Sequence, residues 1–332
     1  MAREPAVRLS RGARPSRVHL KADILFEDKP IHNVIPRWRG AEKPDEWIVI
    51  GNHRDAWVHG AVDPNSGTAA LLECARALGK LKEQGFKPKR TIVFASWDAE
   101  EYGLVGSTEW CEDLREELEK KCVCYINVDA GVSGREFRAS AAPRSRASRA
   151  TWRPPWRIPK KGGASSTCGS SAPSPRPRIP LSVLFVGNDG EDPKVGDLGS
   201  GSDYTAFQHH LGIPSLDIQF EGPYGVYHSV LDDFFWMERF GDPSFSSHRA
   251  LARYLGVALL RMSSADLLPI RPEAQANAII GHLGDLMKQY PEVFAANSEK
   301  TKAADELRSA AARLGELPRI WRPRGARARG RR

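Results

Sequence analysis

Long hydrophobic runs are missing from this chain: no stretch approaches the ~20 apolar residues that span a bilayer, so its sequence encodes no membrane segment. The Arg-rich opening MAREPAVRLSRGARPSR lacks the apolar centre of a signal peptide. Either the protein is cytoplasmic or its true beginning lies upstream, and localisation stays open. Cysteine is scarce. The five (Cys74, Cys111, Cys122, Cys124, Cys168) show no zinc-knuckle spacing, and an odd count suggests no complete disulfide framework. Cys122 and Cys124 alternate within a predicted strand and read as small core residues. Acidic residues are absent from Phe137 to Asn188, and up to Pro180 hydrophobic periodicity vanishes as well. Such an Arg/Ser/Pro-rich stretch buries too little apolar surface to fold and reads as a disordered basic insertion; only the run Leu181 to Val186 can form a strand. GC-rich coding sequence translated in a shifted frame has this composition too, and the tail LPRIWRPRGARARGRR shares it. Reading the nucleotide sequence in its other frames tests that origin, and finding no α/β-compatible sequence there would end it.

What is present is a folded, acidic remainder. The 332 residues are 41 % apolar, enough for a sizeable core. Net charge is +8, but residues 1–17, 135–188 and 317–332 carry +4, +10 and +7, leaving −13 for the rest. A nucleic-acid partner is therefore not expected. The glycines Gly196, Gly199 and Gly201 are followed by no Lys-Ser/Thr and lack the dinucleotide spacing, so no phosphate cradle is read there.

Order is predicted from Val18, where VHLKADILFE alternates like a half-buried strand and HNVIPRWRG follows as a second. Trp47 to Ile50 (WIVI) is continuously apolar, the pattern of a strand covered on both faces, and Gly51 ends it. A long loop, GNHRDAWVHGAVDPNSG, leads to a helix from about Thr68 to Gln84 with Gly85 suited to its carboxyl cap. Thr91 to Ala95 is a second buried strand, stopping at Ser96 and delivering Asp98, Glu100 and Glu101 into a loop. Ser107 to Lys120 reads as one amphipathic helix, and Val123 to Val128 as a strand ending on Asp129. Beyond the insertion come a short helix (about Tyr204 to Leu211), a strand (Ser215 to Phe220), a helix (about Ser244 to Met262) and, past Pro269 and Pro272, two further helices, Glu273 to Tyr290 and Ala304 to Leu314. Alternation of strand and helix argues a largely parallel α/β sheet, with functional residues at the carboxyl ends of its strands.

Those ends and the loops beside them collect His53, Asp63, Glu101, Asp129 and His228. Two imidazoles and three carboxylates are the stock for two zinc ions, with Asp63 able to bridge. Asp55 is placed to hold the His53 imidazole from behind. Adjacent glutamates point opposite ways in an extended segment, so one can ligate while the other faces the reacting water.

The motifs GNHRDAWVHGAVDPNSG, FASWDAEEYGLVGSTEW, YINVD, GSGSDY and YGVYHSV resemble the catalytic domain of the glutamate carboxypeptidase II (prostate-specific membrane antigen-like, N-acetylated-α-linked acidic dipeptidase) family of M28 zinc peptidases, from about Val18 to Leu314. The resemblance implies a mostly parallel mixed sheet flanked by helices, of the zinc exopeptidase type, followed by a truncated helical region. It implies two Zn²⁺, one on His53 and Asp129, the other on Glu101 and His228, with Asp63 between them; Glu100 as general base; Tyr227 against the substrate carbonyl; Gly201, Ser202, Asp217 and Gln219 lining the substrate site; and Glu109 and Glu112 as ligands of a structural Ca²⁺. Small peptides would be the substrates, cleaved in carboxypeptidase or dipeptidase fashion. Where an acid-selective relative carries two arginines this chain has Asp217 and Gln219, and Ser202 replaces an asparagine, so an acid-preferring subsite is not implied. The expected domains are a basic tail (1–17), a peptidase domain (18–265) interrupted at about 135–188, the start of a transferrin-receptor-like dimerisation domain (266–316) and a second basic tail (317–332). The family implies a membrane-anchored or secreted homodimer. Its amino-terminal catalytic segment and apical domain are not found here, which makes the chain look like a fragment. Two alternatives stay open: a catalytically inactive chain, either fragment or receptor-like binding protein, and a basic interaction protein acting through its Arg-rich segments. The receptor-like fold lacks the zinc ligands; here all five positions and the base are filled.

Overall fold

The computed structural model describes residues 19, 21–25, 27–141, 195–268, 272–296 and 298–320. The two basic tails, apart from residues 317–320, and most of the interrupted stretch, including Leu181 to Val186 and Cys168, lie outside the described residues. A short unit, 1–30, is separate from a second, 31–332, which holds every element below. In the first unit the described residues form no strand, and Ile24 and Leu25 are exposed. Alternation in VHLKADILFE marks a segment able to pair; a strand exists only once a ladder closes on it, and none is described there.

In the second unit the strands are β1 (Arg37–Trp38), β2 (Lys43–His53), β3 (Arg90–Trp97), β4 (Cys122–Asn127), β5 (Glu136–Ala141), β6 (Val195–Gly196) and β7 (Ser215–Glu221). The described residues form one mixed seven-stranded sheet in the order β1-β3-β2-β4-β7-β5-β6. Its centre, β3-β2-β4-β7, is parallel, while β1 and β5 run antiparallel to their neighbours β3 and β7. Helices flank it: α1 (Asn65–Glu83), α2 (Val105–Asp113), α3 (Arg115–Lys121), α4 (Phe234–Trp236) and α5 (Ser246–Ser264), followed by α6 (Pro272–Gln289) and α7 (Glu299–Ile320). Side chains alternate across each strand, so WIVI splits: Ile48 and Ile50 join Leu71, Leu78, Leu251 and Leu255 of α1 and α5, while Trp47 and Val49 join Cys111, Leu118 and Phe207 on the other face. A continuous apolar run is what a doubly covered parallel strand requires. Cys122 and Cys124 are buried and free, as expected.

Several boundaries move. β2 continues past Gly51 to His53, because that glycine marks a close approach rather than an end: a Cβ there would lie 2.7 Å from Trp97 Nε1. β3 likewise continues to Trp97. HNVIPRWRG yields only an isolated bridge at Val34 and the two residues of β1; Pro36 has no N–H to give, and its carbonyl takes Phe94 N–H instead. The single helix expected over Ser107 to Lys120 breaks at Leu114 (φ −104°, ψ 19°), and both pieces then bury a residue, Cys111 and Leu118, in the same cluster. Phe137 to Ala141, expected to be irregular, pair with β7 as part of β5, and Val195–Gly196 add β6 where a loop was expected. Helix α7 runs well beyond Ala304 to Leu314, because its charged residues hide the apolar period that α6 shares with it through Ala276, Leu283, Ala304 and Ala311. Among the described residues no helix is long and apolar enough to cross a membrane.

Candidate metal centre

Parallel strands bring their carboxyl ends together. His53 closes β2, Asp129 follows β4, and the loop after β3 carries Glu100 and Glu101. Asp63 stands just before α1, whose first turn presses on the end of β4: a Cβ on Gly67 would lie 1.7 Å from the Val128 carbonyl oxygen, so only glycine allows that approach. His228 arrives from the turn after β7 in the left-handed region (φ 53°), a conformation that persists only where surroundings hold it.

The five converge as two groups that share Asp63, namely His53, Asp63, Asp129 and Asp63, Glu101, His228, with the ligand atoms of each group within 4.8 Å of one another. His53 Nε2 lies 2.9 Å from Asp129 Oδ1 and 3.2 Å from Asp63 Oδ1. His228 Nε2 lies 3.1 Å from Asp63 Oδ2 and 3.2 Å from Glu101 Oε2. Each oxygen of one carboxylate thus faces a different histidine. Glu100 sits at the edge, its Oε2 3.8 Å from His53 Nε2.

Asp55 works differently from the expectation. Its backbone carbonyl takes the His53 Nδ1 hydrogen at 2.9 Å, while its carboxylate, 3.6 Å from that nitrogen, accepts the N–H groups of Glu100 and Glu101 at 3.1 Å each. One residue sets the His53 tautomer and the shape of the two-glutamate turn. A ring that donates from Nδ1 offers its Nε2 lone pair to the centre once the Nε2 proton is displaced. Three features therefore fit a divalent ion such as zinc: this lone pair, a nitrogen and carboxylate donor set, and a buried Glu101 Oε1 with no hydrogen-bond partner.

Without an ion the acidic pocket keeps a proton on His53 Nε2, the proton a metal would displace: burial disfavours a charged ring, yet hydrogen bonds to Asp129, Asp55 and Asp63 hold its pKa far above the ordinary value. Burial first, then the charges of Asp129, Asp203 and Glu101, push Glu100 up to about 9 against the pull of His53. Burial, then the carboxylates of Asp63 and Glu101, lift Tyr227 to about 12, so its phenol keeps its proton near neutrality; its ring stacks on His228 at 3.7 Å. Because Glu100 binds its proton more tightly folded than unfolded, its contribution to stability is complete below pH 4.5 and lost as pH rises through about 9. Metal-free wild type should therefore lose its thermal advantage over metal-free Glu100→Gln between pH 5 and 9. A difference that stays flat across that window would contradict the assignment.

Comparison with known proteins gives the family of this domain. Residues 33–161 match the model of Peptidase family M28. The chain carries a Peptidase family M28 domain. It is 46 % identical over 242 residues to a probable glutamate carboxypeptidase LAMP1 of Arabidopsis thaliana, matching 72 % of this chain and 33 % of that protein. Against the aminopeptidase NAALADL1 of Mus musculus it is 38 % identical over 327 residues, 92 % of this chain and 42 % of the other. The chain thus spans between a third and a half of these relatives' length. Among solved structures, a zinc aminopeptidase from Bacillus subtilis shares the fold with TM-score 0.50 and 19 % identity, over 72 % of this chain and 52 % of that one.

Around this site the structure ties Ser202 and Asp217, expected to line the substrate site, to Asn127, a residue that pattern reading passed over. Ser202 donates to Asp129 Oδ2 and accepts from Asn127 Nδ2 at 2.8 Å. The same amide donates to Asp217 Oδ1 at 2.9 Å, and Asn127 Oδ1 accepts from the Tyr125 hydroxyl at 3.0 Å. Asp217 is therefore tied beneath Asp129, and burial, then the Asp129 charge, push it up to about 7. Gln219 donates to Glu221 on the same strand, and Gly201 lies exposed before Ser202. Glu109 and Glu112 are exposed on α2 and belong to neither metal-capable group found among the described residues. Asn127 stood in view within YINVD; only its neighbours on other strands reveal its use.

Proposed function

We propose that the chain is a co-catalytic di-zinc peptidase acting on small peptides, with Glu100 as general base. The observation that carries this reading is Asp63, one carboxylate that offers an oxygen to each of two histidine-containing groups. His53 and Asp129 would hold one ion, Glu101 and His228 the other, with Asp63 common to both. Bound there, two zincs would supply Lewis acidity to a water and to the scissile carbonyl. Everything else falls to the chain's own residues. Glu100, at the edge of the cluster and outside both ligand groups, takes the proton of the attacking water and passes it to the leaving amine. Tyr227, still protonated, donates its O–H to the developing oxyanion. Asp55 keeps the glutamate turn and the His53 ring in place while this happens.

Relatives named carboxypeptidase and aminopeptidase both support attack near a peptide end. The test is elemental analysis of the purified chain with a dipeptide and tripeptide library assayed in parallel. About two zincs per chain, and cleavage abolished by chelation and restored by zinc, are expected. Soluble, folded protein that takes up no zinc would end the proposal.

A further inference from the structure

Resting on this two-ion reading, we propose that Asp232 is a positioning residue that locks the His228 turn onto the Asp63 loop and so sets zinc affinity selectively at the Glu101/His228 pole. Asp232 is 2 % exposed, and its carboxylate bonds to backbone amides and Tyr224 rather than to any of the five ligand side chains. Its carboxylate instead accepts Val62 N–H at 2.9 Å through Oδ1 and Asp63 N–H at 3.3 Å through Oδ2. Its backbone carbonyl takes the preceding amide, Ala61 N–H, at 3.0 Å. Three consecutive amides of the loop that presents Asp63 therefore end on one residue.

Asp232 also closes the turn that carries Tyr227 and His228. The Tyr224 hydroxyl donates to Oδ2 at 2.7 Å, joining the two ends of that turn. Within it, Ser229 N–H reaches the Val226 carbonyl and Asp232 N–H reaches the Ser229 carbonyl. His228 sits in its middle with left-handed backbone, a sparsely populated state that persists where its surroundings hold it. The neighbouring Asp233 has a different task, accepting Trp236 N–H at 2.8 Å as the amino cap of α4.

The two poles are anchored unequally. On the His53 side the Asp63 loop has a second hold, Asn52 Nδ2 donating to the Pro64 carbonyl at 3.0 Å, next to His53 itself. On the His228 side the backbone tie to that loop runs through Asp232. Losing the clamp should free His228 from Asp63 while His53, Asp63 and Asp129 stay together.

The experiment is a zinc titration of the metal-free full chain against a chromogenic chelator, for wild type, Asp232→Ala, Tyr224→Phe, Glu101→Ala and the double variant Glu101→Ala/Asp232→Ala. Asp232→Ala should weaken one of the two binding steps by about 10- to 100-fold, the usual cost of losing a group that orients a ligand, and leave the other as in wild type. Tyr224→Phe, which keeps the amide contacts and opens only the turn, should weaken the same step by less, and it carries the test if Asp232→Ala does not fold. Glu101→Ala and the double variant should bind their remaining zinc equally well. Unchanged affinities, or both steps weakened in proportion, would overturn the proposal. Wild type that binds fewer than two zincs would instead bring down the two-ion reading, before any variant is compared.

Discussion

Glu100→Gln is expected to keep its zinc and lose roughly 10²- to 10⁴-fold in turnover, the span that a positioned proton-transfer group supplies. The two side chains have the same shape, and the substitution would leave the backbone N–H groups of the turn on Asp55. Only the ability to accept a proton disappears. Glu100 is separable from the ligands by distance: 3.8 Å from His53 Nε2, against 2.9 and 3.2 Å for Asp129 and Asp63. Its carboxyl is pushed up to about 9 by burial, and then by the charges of Asp129, Asp203 and Glu101 against the pull of His53, in the metal-free protein. Positive charge brought into the cluster would draw it down and leave the base ready near neutrality. Glu101→Gln is the contrasting substitution, since Glu101 belongs to the second ligand group, and there one of the two zincs should be lost. Glu100→Gln with near wild-type turnover would show that the base has been misassigned.

How much of this was legible in advance follows the physics of each feature. The central strands announced themselves because a strand buried on both faces must be apolar at every position, as in WIVI and TIVF. The ligands were legible because metal chemistry demands particular side chains, and His53, Asp63, Glu101, Asp129 and His228 are few and lie at strand ends. The end of β2 was misjudged because glycine serves two purposes: at Gly51 it makes room for Trp97, and sequence alone reads it as a stop. Strand β5, one in from the edge, was hidden in basic composition, since a ladder is made by backbone groups that every residue carries, and pairing with β7 is indifferent to the Arg and Ser in EFRASA. Asp232 is the clearest case. Its partners are the amides of Val62 and Asp63, 170 and 169 residues away, and an amide leaves no mark in a sequence. Asn127 is similar: its amide joins Ser202 and Asp217, whose approach depends on how β4 and β7 align. Side-chain chemistry can be read along a chain; a contact between a side chain and a distant backbone has to be seen.

Bridging is what the last and largest metal prediction examines. Asp63→Ala removes a donor from both ligand groups at once, whereas Asp129→Ala and Glu101→Ala each remove one from a single group. Zinc content should therefore fall from about two per chain to near one in either single-group variant and to near zero in Asp63→Ala. Losing a direct ligand should exceed the roughly 10- to 100-fold loss seen for groups that merely orient ligands, so a chelator wash suffices to separate the cases. Collapse of the loop is not expected, because the amides of residues 61–63 are held by Asp232 and the Pro64 carbonyl by Asn52, and none of these bonds uses the Asp63 side chain. If Asp63→Ala keeps one tightly bound zinc, the carboxylate serves a single ion, and the two groups of ligands must then be read as one metal site beside an acidic neighbour.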